Sequence, residues 1–243
     1  MIPHSLRPSY RTMWQIQEPT ADSKTAAIPD LTGTWSSDGK DWICCVSGGA
    51  RGITLGDADS SLQLSVANVG SDTLPVSGEQ YVSGDSWKID YPQVTGQYRL
   101  RLSIRVVHAS TTRIVWEPTF SIQTSLLDTD PSLELTAIGR FDETANANLP
   151  ADLPADVSVS AIRAGDGDGQ LLVLLGPQDA PFTKHRSSGK RLDLRVFGEF
   201  LEKGVIRKAR PWVILDRTDA GVLSEDLSRY CNELCNTPLP LTA

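Results

Sequence analysis

Two pairs of aspartates are spaced so that both carboxylates of a pair can approach one point. The chain reads Asp57-Ala58-Asp59 in its first third and Asp166-Gly167-Asp168 in its second half. Paired carboxylates in a turn can bind a hard cation such as Ca²⁺. The acidic residue that completes an EF-hand loop is missing, because proline stands at position 177. Tight turns also select Asp and Gly for backbone reasons, so we interpret both pairs as turns and predict no metal.

Four cysteines form two local pairs, Cys44-Cys45 and Cys231/Cys235. Cys231 and Cys235 lie one helical turn apart and could reach a single metal, but zinc sites usually bring such pairs in twos. Adjacent residues of a strand point to opposite faces, so Cys44 and Cys45 do not readily supply the second pair. We therefore predict free, buried thiols and no cofactor.

The sequence contains no recognisable catalytic motif. Ser47-Gly48-Gly49 is not a Gly-x-Ser-x-Gly nucleophile elbow, because position 45 is cysteine. The three histidines, His4, His108 and His185, have no signature neighbours. A Ser/His/Asp triad can be assembled from residues far apart in a sequence, so an enzyme stays possible. The motifs favour a protein that is not an enzyme.

Trp35 and Trp42 flank a predicted turn at 36–41. Two tryptophans among polar neighbours can stack on the face of a sugar ring. Burial of both indoles inside a hairpin is the other interpretation. As a platform, they would join Asp57 and Asp59 in a candidate site for a carbohydrate or another small ligand.

Positive and negative charges are unevenly distributed along the chain. The segment 128–156 is acidic, whereas basic residues are concentrated in three predicted strands and the turns beside them. A surface for an anionic partner would comprise Arg99, Arg101, Arg105, Lys190, Arg191, Arg195, Arg207, Lys208 and Arg210. The same polarity would suit self-association, and a solvated sheet face is the simplest explanation. Aromatic residues are not interleaved with these cations, which argues against nucleic acid.

Composition indicates a soluble globular protein. The chain has 243 residues, a net charge of −7, 40% hydrophobic and 22% charged residues. Its first thirty residues lack the apolar run of a signal peptide, and no stretch approaches the roughly 20 apolar residues of a membrane helix. We predict a cytoplasmic protein without a membrane segment; a leader already removed would leave the same pattern.

Alternating apolar residues predict antiparallel β structure over most of the chain. Leu62–Val66 and Leu100–Val106 both alternate with a period of two, and the turn 109–112 predicts a hairpin. The one predicted helix has Ser224 as its N-cap and acidic residues in its first turn. Its buried face would comprise Leu227, Tyr230, Cys231 and Leu234.

A weak internal repeat suggests that one β unit is used twice. The matched segments, in chain order, are Gly56–Val66 with Gly165–Leu175, Arg99–Ile104 with Arg191–Val196, and Pro118–Ile122 with Pro211–Leu215. Composition divides the chain into an N-terminal arm (1–27), a first β module (28–143), a Pro/Ala/Asp linker (144–156), a second β module (157–223) and a helix (224–237). The arm would dock on its own domain or on a neighbour.

The sequence therefore predicts an all-β protein of two sequential antiparallel sandwich or barrel-like modules, with a short C-terminal helix. Its leading functional interpretation is a non-catalytic binding or assembly protein, with a protein partner or self-association. The alternative is a carbohydrate- or small-ligand-binding protein or enzyme, with its site near Trp35, Trp42, Asp57 and Asp59.

Overall fold

The computed structural model describes residues 14–17, 30–57, 62–70, 73–141, 153–154, 156–164 and 169–239. In chain order the strands are β1 (Trp14–Gln17), β2 (Thr32–Ser37), β3 (Lys40–Cys45), β4 (Ile53–Asp57), β5 (Leu64–Asn68), β6 (Gln80–Ser83), β7 (Ser86–Tyr91), β8 (Arg99–Ala109), β9 (Arg113–Gln123), β10 (Ser132–Ile138), β11 (Arg140–Phe141), β12 (Ser158–Arg163), β13 (Gln170–Leu175), β14 (Lys184–His185), β15 (Arg191–Phe197), β16 (Ile206–Ala209) and β17 (Trp212–Asp216). One helix, α1 (Ser224–Asn236), follows.

The strands form two antiparallel sheets that face each other. Sheet I has the order β1-β2-β3-β4-β5-β10-β15-β14, and sheet II has the order β11-β12-β13-β17-β9-β8-β7-β6, with β16 also paired to β9. The core between them is built by alternation, as β8 shows: its leucines, Ile104 and Val106 point inward and its arginines point outward. The predicted all-β class, antiparallel pairing and C-terminal helix are confirmed.

Both halves of the chain contribute strands to both sheets. In sheet I, β10 pairs with β15, and in sheet II, β9 pairs with β17. The segments 28–143 and 157–223 are therefore hydrogen-bonded to each other in both sheets. The predicted linker 144–156 lies outside the described residues except at 153–154 and 156.

The strands of the weak repeat do not occupy equivalent places. β5 lies in sheet I and its counterpart β13 in sheet II, whereas β8 lies in sheet II and its counterpart β15 in sheet I. The third pair, β9 and β17, lies side by side within sheet II. If a duplicated unit placed its two copies in opposite sheets, as the first two pairs do, β9 and β17 would also lie in opposite sheets. They do not, so strand placement does not support duplication.

The helix α1 forms a third layer on the outer face of sheet II. Leu227, Tyr230, Cys231 and Leu234 are buried against outward-facing residues of β12, β13 and β17, as the helical spacing predicted. Ser224 is the first helical residue rather than the N-cap, and the cap position, Leu223, makes no side-chain cap hydrogen bond. Among the described residues, no helix is long and apolar enough to cross a membrane.

The described part of the predicted arm, β1, docks on its own chain. Residues 14–17 pair with β2, and the Trp14 ring lies 5.3 Å from that of Trp35 and 5.5 Å from that of Trp87. The Trp14 indole N–H donates to the carbonyl of Asp85, 3.0 Å away, in the turn between β6 and β7. This short strand therefore links the edge of sheet I to sheet II.

We predict that Gly33→Ala destabilises the protein, because a Cβ at this position would lie 2.4 Å from the Trp87 ring. Overpacking of this kind costs about 1–3 kcal/mol. Thermal and urea unfolding measure the change. Gly96→Ala is the matched control, since its added Cβ meets nothing within 4 Å; equal losses in both variants would contradict the prediction.

We also predict that acid weakens the docking of α1 through Asp226. A hydrogen bond from Arg113 holds the pKa of this carboxyl below its ordinary value. The resulting stability is therefore complete above the ordinary pKa and is lost as pH falls through the lower, folded-state pKa. Urea unfolding should show wild type losing more stability than Asp226→Asn as pH falls from roughly 6 to 3, by a few tenths of a kcal/mol to about 1 kcal/mol for this partly exposed ion pair. Glu225→Gln, in the same helical turn, should behave like wild type.

Candidate functional site

A groove of about 550 Å³ lies on the outer face of sheet II, beside the end of α1. Strand register explains its shape. The outward side chains of β7, β8 and β9 form three rows across the strands, Ser86–Arg105–Glu117, Lys88–Ser103–Thr119 and Asp90–Arg101–Ser121. The middle row ends in two short hydroxyl side chains, whereas each outer row contains an arginine. The short side chains of Ser103 and Thr119 lie lower than the longer side chains of the two outer rows, and they form the floor of the groove.

One wall of the groove is a charged pair fixed by a third residue. Arg105 donates twice to Glu117, from Nε to Oε1 at 3.2 Å and from Nη2 to Oε2 at 2.9 Å. The Trp212 indole N–H also donates to Oε2, at 2.8 Å. Glu117 is only 7% exposed. The hydrogen bonds that it accepts from Arg105 raise the pKa of the Arg105 guanidinium. These three contacts hold the wall in one geometry.

The opposite wall is a cluster of one carboxylate and two guanidinium groups. Arg99 donates from Nε to Asp90 Oδ1 at 2.8 Å, and its Nη2 lies 2.7 Å from the same oxygen. Arg101 Nε lies 3.5 Å from Asp90 Oδ1. Asp90 therefore compensates much of the positive charge of this wall.

The two ends of the groove differ in character. At the β6 end, Tyr81 is 57% exposed, and Lys88 Nζ lies 5.9 Å from the centre of its ring. At the other end, Arg210 and the residues Glu233, Thr237 and Pro238 of the helix terminus line the groove. The aromatic ring offers an apolar face, and the helix terminus supplies polar groups.

The charges that line the groove are nearly balanced. The cations are Lys88, Arg99, Arg101, Arg105 and Arg210, and the carboxylates are Glu79, Asp90, Glu117 and Glu233. A site of this kind presents N–H donors and carboxylate acceptors side by side. Such a lining can hydrogen-bond hydroxyl groups, each of which donates and accepts.

The predicted tryptophan platform is not formed at the surface. Trp35 and Trp42 are both buried in the core between the sheets, where Trp42 packs edge-to-face with Trp116. Asp57 is buried and pairs with Lys40 Nζ at 2.8 Å and with Arg217. Asp59 lies outside the described residues, as do Asp166 and Asp168. The hairpin that carries these tryptophans turns them inward, so the candidate site lies elsewhere.

The predicted anionic-partner surface is divided among three places. Arg99, Arg101, Arg105 and Arg210 line the groove, whereas Arg207 and Lys208 line a second cavity of about 360 Å³. Lys190, Arg191 and Arg195 belong to the β15 region of sheet I, where Arg191 Nη2 lies 3.1 Å from Glu134 Oε2. The basic residues of 190–210 are close in sequence, but β15 lies in sheet I and β16 lies in sheet II.

The four cysteines are free thiols in the structure, with Cys44 and Cys231 buried and Cys45 and Cys235 half-buried. Burial raises the pKa of Cys231 to about 12. Among the described residues, no three His, Cys, Asp or Glu side chains are grouped so that they could hold one metal ion.

Sequence analysis missed several residues of the groove. Lys88 and Asp90 alternate with buried neighbours in β7, a signal that was available. Tyr81 lies in β6, where no residue is fully buried. Glu117 and Thr119 carried the same signal as Lys88 and Asp90, because polar residues at 117, 119 and 121 alternate with apolar ones in the sequence of β9. Glu233 and Pro238 reach the site only through the docking of α1.

No protein-family model and no curated protein matches the sequence. Among solved structures, a match is found to a protein described as a candidate kojibiose phosphorylase from the human microbiome, with a TM-score of 0.44 and 12% identity over 85% of this chain. The match spans 32% of that protein's chain. A likeness at this TM-score does not establish a shared fold or activity.

These findings correct the leading functional interpretation of the sequence. A non-catalytic binding or assembly protein was the expectation, whereas the structural match is to a protein named as an enzyme. Of the residues predicted to form an anionic-partner surface, Arg99, Arg101 and Arg105 line a concave groove instead of a continuous sheet face. The likeness is too distant to transfer an activity, so the groove itself has to indicate the function.

We predict that Glu117→Gln destabilises the protein by about 1–3 kcal/mol, because it removes the charge that Arg105 faces in a mostly buried pair. Urea unfolding measures the loss. Glu134→Gln, which removes a carboxylate paired with the more exposed Arg191, should cost less than about 0.5 kcal/mol. A loss for Glu117→Gln no larger than that control would contradict the role of this wall.

Proposed function

We propose that the groove on sheet II binds a carbohydrate. The observation that carries the proposal is the lining itself: a floor of two hydroxyl groups, Ser103 and Thr119, between walls in which guanidinium donors alternate with carboxylate acceptors. A sugar presents hydroxyl groups around its ring, and each of them both donates and accepts hydrogen bonds. The two kinds of group therefore match.

Charge balance favours a neutral ligand over an anion. Arg99 and Arg101 share Asp90, and Arg105 is held by Glu117. A bound anion would have to compete with these carboxylates for the guanidinium groups and would be repelled by them. A neutral hydroxyl can hydrogen-bond to the pairs without separating them.

Size and the exposed aromatic ring also support a sugar. About 550 Å³ lies within the range of pockets that hold small organic ligands, roughly 300–1,000 Å³. Tyr81 lies at the rim with 57% of its surface exposed. The C–H face of a sugar ring is apolar and can stack on such a ring.

Other expectations from the sequence stay predictions. They are a cytoplasmic location, the internal repeat, the division of the chain into two β modules, self-association or a protein partner, and the argument against nucleic acid.

The test is a binding experiment with a variant that fills the groove. Glucose, maltose and cellobiose are titrated by calorimetry and by ligand-observed NMR against wild type and Ser103→Phe. Because Ser103 points outward from β8, a phenylalanine there should occupy the floor without entering the core, and affinity should fall by about tenfold or more.

Thr136→Phe is the matched control, since Thr136 points outward from β10 on sheet I. It should bind like wild type. If none of the three sugars binds to wild type, or if Ser103→Phe binds them equally well, the proposal is overturned.

A further inference from the structure

Arg210 lies at a break in the ladder of sheet II. β16 and β17 pair in succession with the same edge of β9, through Ala209 opposite Phe120 and Val213 opposite Trp116. Arg210 and Pro211 join the two strands. The Arg210 backbone N–H leaves the ladder and donates to Asp179 Oδ2 at 2.9 Å, so a buried carboxylate fixes the backbone at this point.

The guanidinium group of Arg210 caps the C-terminal end of α1. Nη1 donates to the carbonyl of Pro238 at 3.0 Å, and Nη2 donates to the carbonyls of Leu234 and Thr237 at 2.9 and 2.6 Å. The last carbonyls of a helix have no partners within the helix and carry its negative dipole end. The last turn of α1 contains no basic residue, so Arg210 supplies the positive charge from another part of the chain.

The helix end that Arg210 holds is also a wall of the groove. Glu233, Thr237 and Pro238 line it, and two of the three carbonyls that accept from Arg210 belong to Thr237 and Pro238. Arg210 itself is 5% exposed. Its terminal nitrogens point at carbonyl oxygens and are therefore not available as ligand contacts.

We propose that Arg210 is the positioning residue of the groove. It sets the distance between the helix end and the floor of Ser103 and Thr119, and so determines ligand affinity through the wall rather than by contact. This inference rests on the proposed carbohydrate function for its binding consequence, while its structural part stands on the hydrogen bonds alone.

The test compares Arg210→Met with Arg207→Met. Arg207 is an arginine of β16 that lines the second cavity and pairs with Glu199 at 3.0 Å, so its removal controls for the loss of a charge. In the free protein, amide hydrogen exchange at residues 234–237 should accelerate by about tenfold or more in Arg210→Met and stay unchanged in Arg207→Met. Arg210→Lys should be intermediate, because an ammonium keeps the charge but not the planar fork.

Maltose and cellobiose are then titrated against the same variants. Affinity should fall by about tenfold in Arg210→Met, with Arg207→Met unchanged. Far-UV circular dichroism establishes that each variant is folded, and Arg210→Lys replaces Arg210→Met if the latter is not.

The outcomes separate the two proposals. Unchanged exchange at the helix end overturns the positioning role, whether or not sugars bind. Accelerated exchange with unchanged sugar affinity also overturns it, because the wall would then not matter to the ligand. If wild type binds none of the three sugars, the carbohydrate function fails, and exchange alone decides whether Arg210 holds the wall.

Discussion

Two prolines that cannot donate to a ladder determine how the outer face of sheet II is built. Continuing the register of β9 with either β16 or β17 brings Pro118 opposite Pro211. Neither residue has an N–H, so the ladder opens where they meet. A proline inside a central strand is ordinarily unfavourable, and here the opening accommodates two at once. It also frees the Arg210 backbone to reach Asp179 and its side chain to reach the end of α1.

The groove depends on this opening and on the register of β7, β8 and β9. The register sets long and short outward side chains in alternate rows, and the break sets the helix end against them. Glu117 belongs to both arrangements, because it accepts from Arg105 on β8 and from Trp212 immediately after the break. Floor and walls are thus positioned by backbone pairing, which leaves little freedom for the polar groups to rearrange around a ligand.

The sequence allowed the strands and the helix to be predicted well, but not the site. Strict alternation in β8 identified Arg99, Arg101 and Arg105 as outward residues, and helical spacing identified the buried face of α1. The sequence of β9 also alternates, with polar residues at 117, 119 and 121, but nine consecutive residues of this strand are buried. The pattern therefore gives the face of Glu117 and not its burial in a charged pair. Trp42 follows the polar residue Asp41 in sequence, yet Asp41 lies on the other face of the strand and is exposed. Partnerships such as Arg210 with Leu234 depend on tertiary packing, which a one-dimensional pattern does not contain.

The link made by Trp14 has a mechanical consequence. Its ring packs against indoles from both sheets, while its N–H bonds to the turn that begins β7. Tension applied to the chain before residue 14 would load sheet I through the pairing of β1 with β2, and sheet II through this indole, at the same time. Separating the two sheets at this edge would therefore require breaking the β1–β2 pairing and the Trp14 contacts together. The hydrogen bond of Trp14 is to Asp85, which precedes Ser86 in the first row of the groove.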